Sequence, residues 1–382
     1  MALDRWRRGA WVPLGALAVG ALASIGPWQG RLSRPIGDAL QRLLAPTQPP
    51  AGVLVVDVDD ASVAALGARL GPWPFKRDVH ALAIEHLREL GASAVVLNLL
   101  MIEPGDGDAA LARVLARPGA PVVLAAAGLY PPGEAPAAAQ WPGGPTVPAV
   151  AWPAIVQPAA SLWPAPGQPP RMGIATTPID SDGVLRSLPL WHEAAGRRWP
   201  SLALAAWQAQ AGTAADAAAA GAAATAGDWP LDRAGRVGLL VPGPAGRPPV
   251  VPFERLWRSA LGGPQDPALA QAVRGSVVFA GSTALAAGRV MTVNGQRDGT
   301  ELQALAYAAL HDGTMLRPAP GAVQALLLLL AAGPAIAAWR GRAAAPGRAL
   351  SLAAAAAAGL AVLDAGLLAA WRIDLDLAAP LL

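Results

Sequence analysis

VLVVDV at residues 53–58, VHALAIEHLREL at 79–90 and AVVLNLL at 94–100 decide the fold. The first and third runs are short, apolar and rich in β-branched residues, which marks strands buried on both faces. In the run between them the apolar residues recur at helical spacing, and Gly91 ends it. Residues 108–116 read as a second short helix and 121–125 as a third strand, completing a β-α-β-α-β series. Such a series closes by right-handed crossovers into a parallel sheet with helices on its faces. Further on, SVVFA at 276–280 reads as another buried strand ending in Gly281-Ser282-Thr283, and 301–310 as a helix. The expected fold class is α/β with a mainly parallel sheet, flanked by transmembrane helices.

Three uncharged or nearly uncharged stretches carry the membrane part of that expectation. Residues 9–28 follow Arg5, Arg7 and Arg8 and hold no charge; 319–339 are again uncharged and of spanning length. After a link with Arg340, Arg342 and Arg348, a third apolar stretch runs over 349–371 and contains one charge, Asp364. Arginine clusters belong on the cytoplasmic side, so residues 1–8 are expected inside and 30–318 outside, although Arg31, Arg34 and Arg317 weakly oppose this. Ala21-Leu22-Ala23 offers a small-residue cleavage site, so a removed export signal is the competing reading of the first stretch. Residues 372–382 would form an outer loop and the start of a fourth span. On that reading the sequence is the front part of a longer polypeptide.

Composition agrees. Hydrophobic residues make up 54% of the 382 and charged residues 14%, against roughly 25% charged in an ordinary soluble domain. With 42 Gly and 39 Pro the chain stays below the roughly 25–30% at which such composition argues for disorder. Cys is absent, which excludes thiol catalysis, cysteine-ligated zinc, iron–sulfur clusters and disulfides together. The net charge of +3 shows no clustered basic face with interleaved aromatics, so nucleic acid is not an expected partner. Residues 128–170 read as irregular covering structure, and 203–226 as an Ala-rich helix followed by a loosely ordered insertion.

Polar chemistry gathers where open α/β sheets bind ligands, at the carboxyl ends of strands. Asp57, Asp59 and Asp60 end the first strand and could hold a hard cation, Asp57 and Asp59 above all; Asp60 with Ser62 also reads as a helix start. Asn98 ends the second strand where a metal site would want a carboxylate, and Glu103, Asp106 and Asp108 follow. The loop GPWPFKRDVH (71–80) brings Trp73, Lys76, Arg77 and His80, which could wall a pocket, with Arg77 pairing an anion or the Asp cluster; packing and charge-capping are the plainer roles. The four His, 80, 86, 192 and 311, lack metal spacing. HExxH, GxSxG, Walker and strand-following GxGxxG motifs are missing, so no catalytic residue and no cofactor is expected. Ser282 and its neighbours could offer backbone amides to an anion.

Taken in order, VLVVDVDDASVAALG (53–67), GPWPFKRDVHALAIEHLRELGASAVVLNLLMIEP (71–104), DSDGVLR (180–186), RGSVVFAGSTA (274–284) and GTELQALAYAALHDGTMLRP (299–318) resemble the second type of CHASE domain. That is the extracellular sensory domain associated with bacterial cyclases and histidine kinases. The resemblance covers most of the chain. It implies a multi-pass protein of the bacterial inner membrane, its large domain periplasmic, signalling to a cytoplasmic kinase or cyclase that this chain does not contain. It also implies a small molecule or ion as ligand and a homodimer as the signalling unit. The ligand candidates are Asp57, Asp59, Trp73, Arg77, His80, Asn98, Asp182, Arg186 and Ser282. Three departures from the family pattern stand out: Asn98 replaces Asp, Gln303 replaces His, and Arg289 with its neighbours replaces an Asp. The rival readings are a membrane-tethered periplasmic hydrolase using Asp57 and Asp59 with a metal, and a scaffold of the cell envelope.

Overall fold

A computed structural model of the chain describes residues 29–129, 138–139, 149–165, 167–212, 229–232, 235–263, 266–286 and 288–318, with 366–367, 370 and 373–374 near the end. The chain divides into two compact units, Pro46–Met315 and the flanking residues 1–45 with 316–382. The larger unit is thus narrower than the expected 30–318. In the flanking unit, helix α1 (Gln29–Leu43) contains Pro35, and Arg317–Pro318 pairs in parallel with Ile373–Asp374. Among the described residues no helix is long and apolar enough to cross a membrane. The stretches 1–8, 9–28, 319–339, 349–371 and 372–382 lie outside the described residues, apart from the few positions near the end given above.

The larger unit is built on a seven-stranded sheet: β1 (Val53–Val58), β2 (Ala94–Leu100), β3 (Val122–Leu129), β4 (Ala154–Val156), β5 (Met172–Ile174), β6 (Val250–Pro252) and β7 (Val277–Ser282). Their order across the sheet is β6-β1-β7-β2-β3. One edge of β3 carries two partners, β5 in parallel along Leu124–Ala126 and β4 antiparallel along Ala127–Leu129. All other pairings within the sheet are parallel. β7 comes from far along the chain and inserts between β1 and β2, and β6, also from far along, adds to the outer edge of β1; the local β-α-β series contains neither.

Among the described residues seven α-helices belong to this unit: α2 (Asp60–Leu70), α3 (Arg77–Glu89), α4 (Asp108–Ala116), α5 (Leu202–Gln210), α6 (Phe253–Ala260), α7 (Pro267–Val273) and α8 (Gly299–Asp312). Side chains alternate across the strands with period 2, and both faces are apolar. Val53, Val55, Ala94, Val96, Val277 and Phe279 face α5 and α8. Leu54, Val56, Val95, Leu97, Leu124 and Val278 face α2, α3, α4, α6 and α7. Burial on both faces explains why β1 and β2 read as unbroken apolar runs rather than as alternating ones.

Sequence and structure agree on β1, β2 and α4 to the residue, while β3 runs four residues past its expected end and α8 begins at Gly299. The extension of β3 through Gly128 depends on the antiparallel β4, a long-range pairing that local pattern does not carry. Part of the 128–170 stretch expected to be irregular forms short strands, among them Ala149–Ala151 and β4. Residues 213–228, the expected insertion, lie outside the described residues.

Candidate functional site

Strand parity divides the polar residues at the carboxyl end of the sheet between its two faces. Asp57, Asn98 and Gly281 continue the alternation of Val55, Val96 and Phe279 and meet the start of α8. A Cβ at Gly281 would collide with Thr300, so the bare glycine is what lets the helix touch the strand. Asn98 Nδ2 donates to Thr300 Oγ1 at 2.9 Å. Asp298 caps α8, accepting from the N–H groups of Thr300 at 3.0 Å and Glu301 at 3.3 Å.

Two carboxyls meet here. Burial first, and then the nearby Asp57, push Asp298 up to about 6 against the hydrogen bonds it accepts. Asp57 is also raised, by burial above all and by Asp59 and Asp60, although it accepts from Thr283 N at 2.9 Å and Thr283 Oγ1 at 2.6 Å. One turn into α8, Glu301 is buried and receives both Nε (3.0 Å) and Nη2 (2.5 Å) of Arg247. Gln303 accepts from Ala203 N at 3.1 Å and donates to Ala175 O at 3.2 Å. It thereby ties α8 to the first turn of α5.

The opposite face holds a cavity of about 460 Å³ at the end of β2 and the start of α3. Trp73, Phe75, Lys76, Arg77, His80 and Met101 line it. The Trp73 and Phe75 rings meet edge to face, centroids 5.2 Å apart, and His80 packs between Trp73 and Phe253. His80 is 5% exposed, and its ring makes no hydrogen bond among the described residues. Burial, reinforced by Arg77, lowers its pKa to about 4, so the imidazole is neutral and offers one donor and one acceptor.

Arg77 does not reach the Asp57 cluster, one correction to the sequence reading. Its Nη1 bonds Asp108 Oδ1 at 2.7 Å and its Nη2 bonds the Glu103 carbonyl at 2.9 Å. Burial would raise the Asp108 carboxyl, but Ser161, the Gly105 N–H and Arg77 outweigh it and hold the group low. Lys76 and Asp106 pair at 3.1 Å on the rim.

The expected candidates therefore serve several separate arrangements. Asp57 and Asn98 share the seat of α8. Trp73, Arg77 and His80 share the cavity. Asp59 is the cap of α2, accepting from Ser62 N at 2.7 Å, so the cap lies one residue before Asp60, where the helix begins; Asp60 accepts from Leu285 N at 2.9 Å. Ser282 points to the α2 face and donates to Val58 O, while the Thr283 amide expected for an anion is bonded to Asp57. Asp182 and Arg186 form a turn network with Asp180, at 2.9–3.2 Å. Among the described residues no group of three or more His, Asp or Glu could hold a metal ion.

Sequence reasoning passed over Asp298 and Thr300. The signal was present as Asp298-Gly299-Thr300-Glu301, a capping residue followed three positions later by Glu.

Residues 14–338 match the CHASE2 domain family. The chain belongs to that family. CHASE2 domains are extracellular sensory domains of signalling receptors, which gives the α/β unit its class of role. No curated protein and no solved structure matches the chain.

The Asp298 carboxyl yields a signed pH prediction. A carboxyl raised above its unfolded value of 3.8 stabilises the fold below that value and loses the contribution as pH rises through about 6. Asp298→Asn keeps a good helix cap and removes the titration. Denaturant unfolding should show the variant gaining on the parent chain by up to about 3 kcal/mol between pH 4 and 7. A parent chain that gains on the variant over that range would contradict the placement.

Proposed function

We propose that this CHASE2 chain is the sensing region of a membrane receptor, binding a small molecule in the cavity beside Trp73 and His80. The observation that carries the reading is His80. A neutral, unbonded imidazole, nine-tenths and more buried, lines a cavity within the roughly 300–1,000 Å³ of small-molecule sites. Its ring nitrogens, without a protein partner among the described residues, can serve a ligand as one donor and one acceptor. Apolar surface from Trp73, Phe75 and Met101 supplies the contact area, and Lys76 with Asp106 at the rim can each take an opposite charge.

In this reading the ligand acts by differential affinity for two states of the domain. α8 is the connection to the apolar stretch at 319–339, since only six residues separate its last residue from that stretch. The stretches 9–28, 319–339 and 349–371 span the inner membrane, with the α/β unit periplasmic. A kinase or cyclase carried on a longer polypeptide is the output, and the receptor works as a homodimer.

Thermal melting of the purified full chain against a panel of amino acids, dicarboxylates, nucleotides and sugars tests the binding. At least one compound should raise the midpoint, with affinity reduced about tenfold in His80→Phe, which keeps the ring packing and deletes both nitrogens. A panel without any binder, or a binder indifferent to His80→Phe and lost in Asp57→Asn, would remove the site from this cavity.

Because the chain has no Cys, single cysteines report topology cleanly. A membrane-impermeant maleimide should label Gln296→Cys in intact cells and Arg342→Cys only after permeabilisation. The reverse pattern would refute the orientation.

A further inference from the structure

Among the described residues three charged side chains line the Trp73–His80 cavity: Lys76, Arg77 and Asp106. Arg77 is engaged from within the protein, its Nη1 donating to Asp108 Oδ1 at 2.7 Å and its Nη2 to the Glu103 carbonyl at 2.9 Å. Lys76 and Asp106 pair with each other at 3.1 Å, with side chains 60% and 77% exposed. An exposed pair of this kind holds itself together weakly, because water screens it and two mobile side chains must be ordered to make it. A ligand that brings an opposite charge to each partner can therefore enter the pair at little cost. A ligand with a single net charge satisfies one partner and is repelled by the other.

Inward from the rim the chemistry changes. Lys76 stands immediately before α3 and His80 one turn into it, about 6 Å along the axis at 1.5 Å per residue. The wall beside them is apolar and aromatic: Trp73 and Phe75 meet edge to face with centroids 5.2 Å apart, Trp73 also packs on the His80 ring, and Met101 adds a thioether. Rings and a thioether favour an aromatic ring as occupant over an aliphatic group of the same area. His80 is neutral and without a protein partner, so it closes the inner end with one donor and one acceptor. At about 460 Å³ the cavity lies in the lower half of the roughly 300–1,000 Å³ of small-molecule sites, the size of a single small metabolite.

We propose that this cavity takes a free aromatic amino acid with a hydroxylated ring, its carboxylate on Lys76, its ammonium on Asp106, its ring against Trp73 and Phe75, and its hydroxyl on His80. The inference rests on the reading that the cavity is the ligand site. The ammonium and carboxylate of an α-amino acid share one carbon, which suits partners whose tips lie 3.1 Å apart. The same residue within a peptide has given up at least one of these charges to an amide. A phenolic hydroxyl both donates and accepts, so it matches either nitrogen of the imidazole.

The test is calorimetric titration of the purified full chain with L-tyrosine and with three analogues that each lack one group: L-phenylalanine, tyramine and p-hydroxyphenylpropionate. L-Tyrosine should bind about tenfold more tightly than each of them. Its advantage over L-phenylalanine should vanish in His80→Phe, over tyramine in Lys76→Gln, and over p-hydroxyphenylpropionate in Asp106→Asn. Both rim side chains are largely exposed, so these two changes leave the fold intact. L-Tyrosine binding that neither rim variant alters overturns the inference. Equal binding of the doubly blocked N-acetyl-L-tyrosinamide also overturns it, in favour of an aromatic residue within a peptide. A sugar, nucleotide or dicarboxylate that binds in a His80-dependent way while L-tyrosine does not bind overturns the ligand class and leaves the cavity standing. Absence of any binder, or a binder indifferent to His80→Phe and lost in Asp57→Asn, refutes the cavity reading itself.

Discussion

The seat of α8 on the sheet is the contact on which the rest of the α/β unit depends. Gly281 lies at the end of β7, in the middle of the sheet, and its missing side chain allows Thr300 to lie against the strand. Asn98 from β2 then bonds the Thr300 hydroxyl, and Asp298 before the helix accepts from the Thr300 N–H. Move the helix outward and three consequences follow together. The cap of α8 loses its partner, the Glu301–Arg247 pair opens, and Leu302, Ala306 and Tyr307 leave the face formed by Val53, Val277 and Phe279. Glu301 is 2% exposed and faces both Arg247 and the buried Arg297, at 3.3 Å from Arg297 Nε. The helix is thus held at its first turn by side-chain bonds and along its length by apolar burial.

That seat and the Trp73–His80 cavity share the end of β2 but use its two faces. Asn98 reaches Thr300 on one side, while Leu99, Leu100 and Met101 line the cavity just beyond it. A change in how β2 ends is therefore felt by both. The register of β2 against β3 breaks between Leu97 and Leu100, so this end of the strand already departs from regular pairing. A short irregular stretch of β2 thus has a cavity on one side and the cap of α8 on the other, and on the proposed reading it is where a bound ligand meets the helix.

The parallel sheet was legible because its strands are buried twice over, which leaves apolar runs that local pattern can find. β1, β2 and α4 follow from such runs. The position of β7 between β1 and β2 was not legible, since it is set by pairing over long sequence separation. The site was readable in its residue types and less so in its grouping. Asp57 and Asn98 were found together, as were Trp73, Arg77 and His80, because each group is close in sequence or ends a strand. The division between faces follows from strand parity, and Asp298 enters only through a loop that returns from the far side of the chain. Asp59, Asp60 and Ser282 look alike in sequence to the site residues but are engaged by backbone groups nearby.

Hydrogen exchange of the full chain with Thr300→Val tests the central claim most directly. The substitution keeps the shape of the side chain and removes the hydroxyl that Asn98 bonds. The account predicts faster exchange across 299–304 with β1, β2 and β7 unchanged. Exchange unaltered in α8, or lost evenly through the sheet, would contradict the claim that this bond holds the helix in its seat.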